Sequence, residues 1–362
     1  METPLPDLVG MPLAALEALV ATCDGTRNQA ALLMRGLHAK KPARVTEIPD
    51  VSRRLLAKLE SHATIGRLAV HEIQASDGWE GTRKLLLRTH DDLPVEAVLF
   101  PTHRHPERLT LCLSSQAGCR MACSFCATGA MGFFRHLTAA EIVAQVWEAS
   151  ALIRPGETLN NLVFMGMGEP LENFDPVKAA IQVIHDDRAF RLAYDKITVS
   201  TCGVLPGMQR LAAELPKVSL ALSLHATRDP VRDKLVPLNK KFAIAPLMEF
   251  LHAYPAPGSR VFCIEYCLIA GENDSPEEGA ELGRLVAKLR AKVHLIPYNP
   301  VPGLPHARPT PEAVAAFARA AEENGANVGV RDSRGQDIAA ACGQLGTALI
   351  GARRKLPILP EA

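Results

Sequence analysis

The sequence predicts an α/β protein: a parallel barrel of six βα units, preceded by a small, mainly helical accessory domain. Three observations predict it. Beyond residue 100, short apolar, β-branched-rich runs recur at Leu109–Leu113, Leu162–Phe164, Ile197–Val199, Val218–Leu222, Val261–Leu268 and Val293–Ile296. Helix-like stretches separate them, at Thr138–Ser150, Pro176–His185, Pro206–Leu215, Ala245–His252, Pro276–Arg290 and Pro311–Asn324. Such alternation favours parallel strands joined by right-handed crossovers. The third observation is that the first ninety or so residues follow a different pattern, with helical apolar spacing first and a strand pair after it.

In order along the chain, Pro12–Thr22 and Asn28–His38 space their apolar residues as helices do, and Asp50-Val-Ser precedes a third candidate helix, Arg53–His62. Leu68–Gln74 and Lys84–Leu87 flank the turn-rich Ser76–Gly81 as a strand pair. A further strand is expected at Glu96–Phe100, followed by a basic loop, Thr102–Arg108. In the barrel region, Pro176, Pro206, Pro276 and Pro311 sit where a first helical turn tolerates proline. Thr138, three residues before Glu141, has capping-box spacing. A short last strand, Asn327–Arg331, leads into a tail. The expected division is an accessory domain at 1–92, a barrel domain at 93–345 that includes a cysteine segment near 342, and a tail at 346–362.

Composition narrows the function classes. With 48% hydrophobic and 22% charged residues over 362 positions, the chain can bury a sizeable core. The net charge of +1 lacks the global basic excess of a nucleic-acid coat protein. From Arg27 to Arg88, however, twelve Lys/Arg stand against six Asp/Glu, which suits an RNA-facing module, although a solvated helical face would carry the same charge. There is no signal-peptide pattern and no apolar run long enough to span a membrane. The expectation is therefore a cytoplasmic protein, a monomer with no membrane partner. In that compartment close-spaced members of its nine cysteines read as metal-binding or catalytic before disulfide.

The first barrel strand runs into Ser-Ser-Gln-Ala-Gly-Cys119-Arg-Met-Ala-Cys123-Ser-Phe-Cys126, a Cys-x3-Cys-x2-Cys spacing. Three thiolates on a tight loop can each bind one iron of a [4Fe-4S] cubane and leave the fourth iron open. An open iron can chelate the amino and carboxylate groups of S-adenosylmethionine (SAM), whose reductive cleavage releases a 5′-deoxyadenosyl radical. The expected fold is then a radical SAM partial (β/α)6 barrel. A zinc site is the alternative, but structural zinc wants four closed ligands in paired units, and the other close pair, Cys263 and Cys267, lies inside a strand.

Strand ends supply further candidates: Met165-Gly-Met-Gly168-Glu169-Pro170 after the second barrel strand, Ser200 at the end of the third, Ser223-Leu224-His225 at the fourth, and Asn299 after the sixth. In a parallel barrel these ends converge on one mouth, so they should share a cavity with the cysteine loop and bind SAM. Cys112 and Cys342 read as buried core thiols on composition alone. Cys263, Cys267, Cys202 and Cys23 read as structural.

Leu-Cys112-Leu-Ser-Ser-Gln-x-Gly-Cys119-x3-Cys123-x-Phe-Cys126, Met-Gly-Met-Gly-Glu-Pro-Leu, Ser223-Leu-His225 and Asp337-Ile-Ala-Ala-Ala-Cys342-Gly-Gln-Leu together resemble the RlmN/Cfr family of radical SAM RNA adenine methyltransferases. The resemblance implies two SAM molecules per turnover. Cys342 would take a methyl group from the first by nucleophilic displacement. The second, bound at the cluster, would give the radical that activates that S-methyl for addition to an adenine ring carbon. Cys112 would release the protein–RNA adduct through a transient disulfide with Cys342, and Glu96 would accept a proton. SAM contacts would fall to Gly168, Glu169, Ser200, Ser223, Leu224, His225 and Asn299. Arg331–Asp337 resembles the RlmN branch, which implies carbon 2 of adenine in 23S ribosomal RNA, with tRNA as a second candidate substrate. An electron donor of the flavodoxin or ferredoxin kind would be a partner. The alternatives are carbon-8 methylation as in the Cfr branch, another radical SAM activity such as a radical activase or a small-molecule mutase, and a non-enzymatic RNA-binding or zinc module.

Overall fold

Side-chain caps fix where many of the helices begin. Thr26, Ser52, Thr138, Ser275 and Thr310 each accept the backbone N–H three residues on, and Gln29, Glu141 and Glu278 complete capping boxes. The computed structural model describes residues 5–78, 81–254, 261–331 and 333–350. Part of the Ser76–Gly81 turn, Asp332 and most of the expected tail lie outside the described residues.

The N-terminal helices are α1 (Leu13–Thr22), α2 (Arg27–Lys40) and α3 (Arg53–Glu60). The strands β1 (Ala69–Ala75), β2 (Arg83–Arg88), β3 (Pro94–Pro101) and β4 (Arg108–Cys112) follow. Then come β5 (Gln116–Gly118), α4 (Ala127–Met131), β6 (Phe133–His136), α5 (Ala139–Ser150), β7 (Thr158–Phe164), α6 (Phe174–His185), β8 (Ile197–Thr201) and α7 (Leu205–Glu214). The last elements are β9 (Ser219–Ser223), α8 (Asp229–Leu235), α9 (Ile244–Ala253), β10 (Phe262–Leu268), α10 (Pro276–Val286), β11 (Ala291–Pro297), α11 (Pro311–Glu323) and β12 (Val328–Val330).

One sheet runs in the order β1-β2-β3-β4-β7-β8-β9-β10-β11-β12. Strands β1 to β4 pair antiparallel, and β4 through β12 pair parallel. The six parallel barrel strands expected from the apolar runs are all present, with β12 as a parallel edge. The barrel is partial, because β1 and β12 are the two ends of the sheet rather than partners. The hairpin β1–β2, read in the sequence with the helical region, hydrogen-bonds onto β3 and extends the barrel's own sheet. The N-terminal helical region meets the barrel at α5. There Trp147 donates from Nε1 to His38 Nδ1 (3.1 Å), and Lys41 Nζ donates to the Trp147 carbonyl (2.6 Å). Burial pushes the His38 pKa down to about 4, so the ring is a neutral acceptor.

Arg232 on α8 organises the strand ends from below. It is fully buried, and its guanidinium donates to the carbonyls of Cys202 (2.6 Å), Leu224 (2.8 Å) and Ser223 (3.2 Å) and to Asn239 Oδ1 (2.9 Å). Replacing it with methionine keeps the bulk and strands these acceptors, so Arg232→Met should lose about 3 kcal/mol or more of stability, read from urea unfolding.

Candidate active site

The cysteine loop is closed by a small hairpin. Strands β5 and β6 pair antiparallel, and a Cβ on Gly118 (φ +75) would lie 1.9 Å from the Gly132 carbonyl, so only glycine allows the closure. Between them Ala122 adopts a left-handed conformation (φ +53) that turns the chain from Cys119 to Cys123. Cys126 then caps α4, and its N–H donates to the Cys123 carbonyl (3.1 Å).

Burial raises the Cys126 pKa and the Cys123 sulfur adds to it, while the amides of Gly129 and Thr128 and the Thr128 hydroxyl oppose the rise. Burial, then the Cys126 charge, pushes Cys119 well up. Three thiols crowded in one half-buried loop need a cationic centre to hold them as thiolates. Three thiols on one loop that opens to a cavity fit an iron–sulfur cluster with one iron left free, whereas structural zinc wants four closed ligands.

The cavity above the loop is lined by Cys119, Cys123, Cys126, Gly168, Glu169, Ser200, Ser223 and His225, all expected at the barrel mouth, and also by Cys342. Gly168 (φ +101) brings its backbone against Gln116, where a Cβ would meet the Gln116 side chain at 2.5 Å. Gln116 Oε1 in turn accepts from the Glu169 N–H (2.9 Å). The Glu169 carboxylate is buried, which raises its pKa, and its two oxygens accept from the amides of Leu171 (3.0 Å) and Cys202 (2.9 Å). Ser200 and Ser223 stand side by side on β8 and β9, Oγ to Oγ 3.3 Å. His225 is held in the left-handed region (φ +61), with its ring edge-on to Phe125 at 4.9 Å between centroids. Its Nδ1 accepts from the Cys267 N–H (2.9 Å), and burial pushes its pKa down to about 3, so it is neutral with its proton on Nε2.

Two expected contacts stand back from the cavity wall. The Leu224 side chain is buried in the core, and its peptide bonds Glu265 and Arg232 instead. Asn299 acts on a neighbour: its Nδ2 donates to the Cys342 carbonyl (3.0 Å), while Oδ1 accepts from Gln336 (2.8 Å) and Arg308 (3.3 Å).

The segment after β12 crosses the mouth and is tied down at both ends. Asp337 accepts from the Ser76 hydroxyl (2.7 Å) and the Asp77 amide (2.9 Å) at the β1–β2 turn. Further on, the Gly343 carbonyl accepts from the Ala127 N–H (2.8 Å), the Leu345 carbonyl from Thr128 Oγ1 (2.7 Å), and Glu96 Oε2 accepts from the Gly346 N–H (3.2 Å). Cys342 is thereby held on the wall of the cavity that contains the cysteine loop. It is open to that cavity, yet the protein packed around it raises its pKa; Arg331 opposes the rise and Glu265 adds to it. Cys112, at the end of β4, is buried among Val98, Met131, Met167 and Leu345. Burial, and then the charge of Cys342, drives its pKa far above the usual thiol value. Glu96 on β3 is buried as well; burial raises its pKa against Lys84, whose Nζ lies 3.9 Å away, and the Gly346 amide.

Some residues of the site were not singled out in the sequence. Cys202, expected to be structural, lines the cavity, where the neighbouring Cys123 thiol and burial raise its pKa. Its position two residues after Ser200, at a strand end, was the available signal. Glu265 also lines the cavity from inside β10.

The Radical SAM superfamily profile matches residues 113–282. The dual-specificity RNA methyltransferase RlmN of Anaeromyxobacter sp. (strain Fw109-5) is 43% identical over 348 residues, covering 94% of this chain and 91% of that protein. The RlmN of Halorhodospira halophila is also 43% identical, covering 94% and 93%. A crystal structure of a radical SAM methyltransferase from Sphaerobacter thermophilus superimposes with a TM-score of 0.87 at 38% identity, over 95% of this chain and all of that one. The chain therefore belongs to the RlmN family of the radical SAM superfamily, with a [4Fe-4S] cluster and SAM as its cofactors.

Proposed function

We propose that the chain methylates carbon 2 of adenine in 23S ribosomal RNA and in tRNA, with Cys342 as the carrier of the methyl carbon. The observation that carries this reading is the C-terminal segment. It holds Cys342 over the cysteine loop while also bonding Glu96 and packing Leu345 against Cys112. The names borne by the relatives, dual-specificity RNA methyltransferases, support RNA as the substrate.

When bound, the cluster of Cys119, Cys123 and Cys126 supplies the electron for radical cleavage of SAM. The rest is the work of this chain's side chains. Gly168, Glu169, Ser200, Ser223 and His225 form the SAM-holding wall, and Leu224 backs it with its peptide bonded to Glu265 and Arg232. Asn299 positions Cys342 through its carbonyl. Cys342, open to the cavity, takes the methyl group on sulfur and presents it to the base. The S-bound methylene bonds to the ring carbon, Glu96 accepts the proton that carbon loses, and the one electron left over would return to the cluster. A carboxyl whose pKa burial has raised is suited to take up a proton and give it back. Cys112 then attacks the Cys342 sulfur: an S–S bond forms, the S–C bond breaks, and the carbon takes a proton to become methyl. The resulting disulfide must be reduced before the next cycle. The reading includes a one-electron donor of the flavodoxin or ferredoxin class, action as a monomer, and a cytoplasmic setting that keeps these thiols reduced.

Mass spectrometry of nucleosides from 23S ribosomal RNA and tRNA of cells lacking the gene tests the substrate. The reading expects loss of 2-methyladenosine in both; unchanged nucleosides, in a strain with no second such enzyme, would overturn it. Glu96→Gln should lower turnover by roughly 10²- to 10⁴-fold while iron content and methylation of Cys342 stay at the wild-type level.

A further inference from the structure

On the wall of the same cavity, on β10 and β11 rather than on the cysteine loop, three side chains of unlike chemistry converge. Cys263 and Glu265 are two residues apart on β10 and so point to the same face, which is the cavity face because Glu265 lines the cavity. On β11, His294 is the register partner of Glu265. One ligand atom from each of the three lies within 4.8 Å of the other two. Metal–ligand bonds of about 2.0–2.3 Å give ligand-to-ligand spacings inside that limit.

The strongest feature is what the Glu265 carboxylate lacks. The residue is 3% exposed; Oε1 meets His294 Nδ1 at 2.9 Å, but Oε2 is buried without a hydrogen bond among the described residues. The Arg331 Nη1 lies 3.7 Å away, on a side chain that is 46% exposed. A buried carboxylate oxygen with no donor is costly unless something else occupies its lone pairs.

We infer that Cys263, Glu265 and His294 form a binding site for a zinc-class divalent cation, with its fourth position open to the cavity. Thiolate, imidazole and carboxylate together select a borderline-soft transition metal over magnesium or calcium. The cation would fill the gap at Glu265 Oε2 and replace Arg331 as the counter-charge. Three protein ligands would leave one position for water or for a nitrogen or oxygen of whatever occupies the cavity. None of these ligands belongs to the cysteine loop, so the two centres would load independently.

The test uses the full chain with its iron–sulfur cluster assembled, exposed to zinc, passed through a desalting column, and assayed for zinc and iron by mass spectrometry. One zinc retained per chain with iron unchanged is expected. His294→Asn and Cys263→Ser should each retain zinc at least roughly tenfold more weakly, with the same iron content and the same melting temperature in zinc-free buffer. Three results would overturn the site: no zinc retained, zinc retained equally by both variants, or zinc gained at the expense of iron. A variant that melts early without zinc is replaced by Cys263→Ala, which leaves the Glu265–His294 hydrogen bond in place.

Discussion

Cys342→Ala is expected to abolish RNA methylation, by roughly 10⁴-fold or more, while leaving reductive cleavage of SAM intact. The separation follows from the geometry. The cluster loop and the SAM-holding wall are built from β4 to β9 and their loops, none of which uses the Cys342 side chain. The segment that carries Cys342 is secured by backbone groups of Gly343, Leu345 and Gly346 and by Asp337, so alanine at 342 does not release it. The side chain also opens to the cavity, and truncating it leaves no closed void in a core. The check has two arms: 5′-deoxyadenosine release with a chemical reductant, and peptide mass spectrometry of residue 342 after incubation with SAM. The wild-type chain should carry a methyl group there, and the variant should still release 5′-deoxyadenosine but transfer nothing. Wild-type methylation rates from the variant would remove Cys342 from the chemistry.

Cys112→Ala is expected to trap the chain on its RNA. The Cys112 thiol is held neutral by burial and by its neighbour's charge, so it is a poor nucleophile while Cys342 is free. Once the Cys342 sulfur is bonded to carbon, the smaller of those two causes is removed, while burial remains. Without it, nothing in the cluster of Val98, Met131, Met167 and Leu345 can break the S–C bond. The variant should lose about 1 kcal/mol from the small cavity, too little to unfold the chain. It should purify with covalently attached RNA, visible as a nuclease-sensitive band of reduced mobility. A variant that purifies free of RNA and turns over normally would contradict the resolving role.

The barrel was legible because its strands are apolar runs and α5, α7, α10 and α11 start at prolines or side-chain caps, all local signals. The hairpin β5–β6 and helix α4 were not, because elements of three to five residues have no measurable period. They exist because Gly118 meets Gly132 and the cysteine loop must close. The continuity of β1–β2 with the barrel sheet depends on pairing with β3, which no window of sequence contains. The cysteine triplet was legible from spacing alone, and the strand-end residues from their position. Cys112 and Cys342 looked like core thiols, since nothing local to either reveals that the chain folds one back toward the other. Cys202, Glu265 and His294 were missed for a related reason: their chemistry arises from neighbours on adjacent strands. Leu224 and Asn299 were named as contacts, whereas the fold commits the Leu224 peptide to Glu265 and Arg232 and the Asn299 amide to Cys342, Gln336 and Arg308.

The central claim is that the transferred carbon passes through the Cys342 sulfur before it reaches adenine. Supplying SAM with a fully deuterated methyl group to the reduced holoenzyme and an RNA substrate tests it most directly, by mass spectrometry of the methyladenosine formed. Activation on Cys342 removes one deuterium and resolution by Cys112 adds one proton, so the product methyl should retain two of its three deuteriums. A product that keeps all three would mean direct transfer from SAM to the base, and would contradict the account.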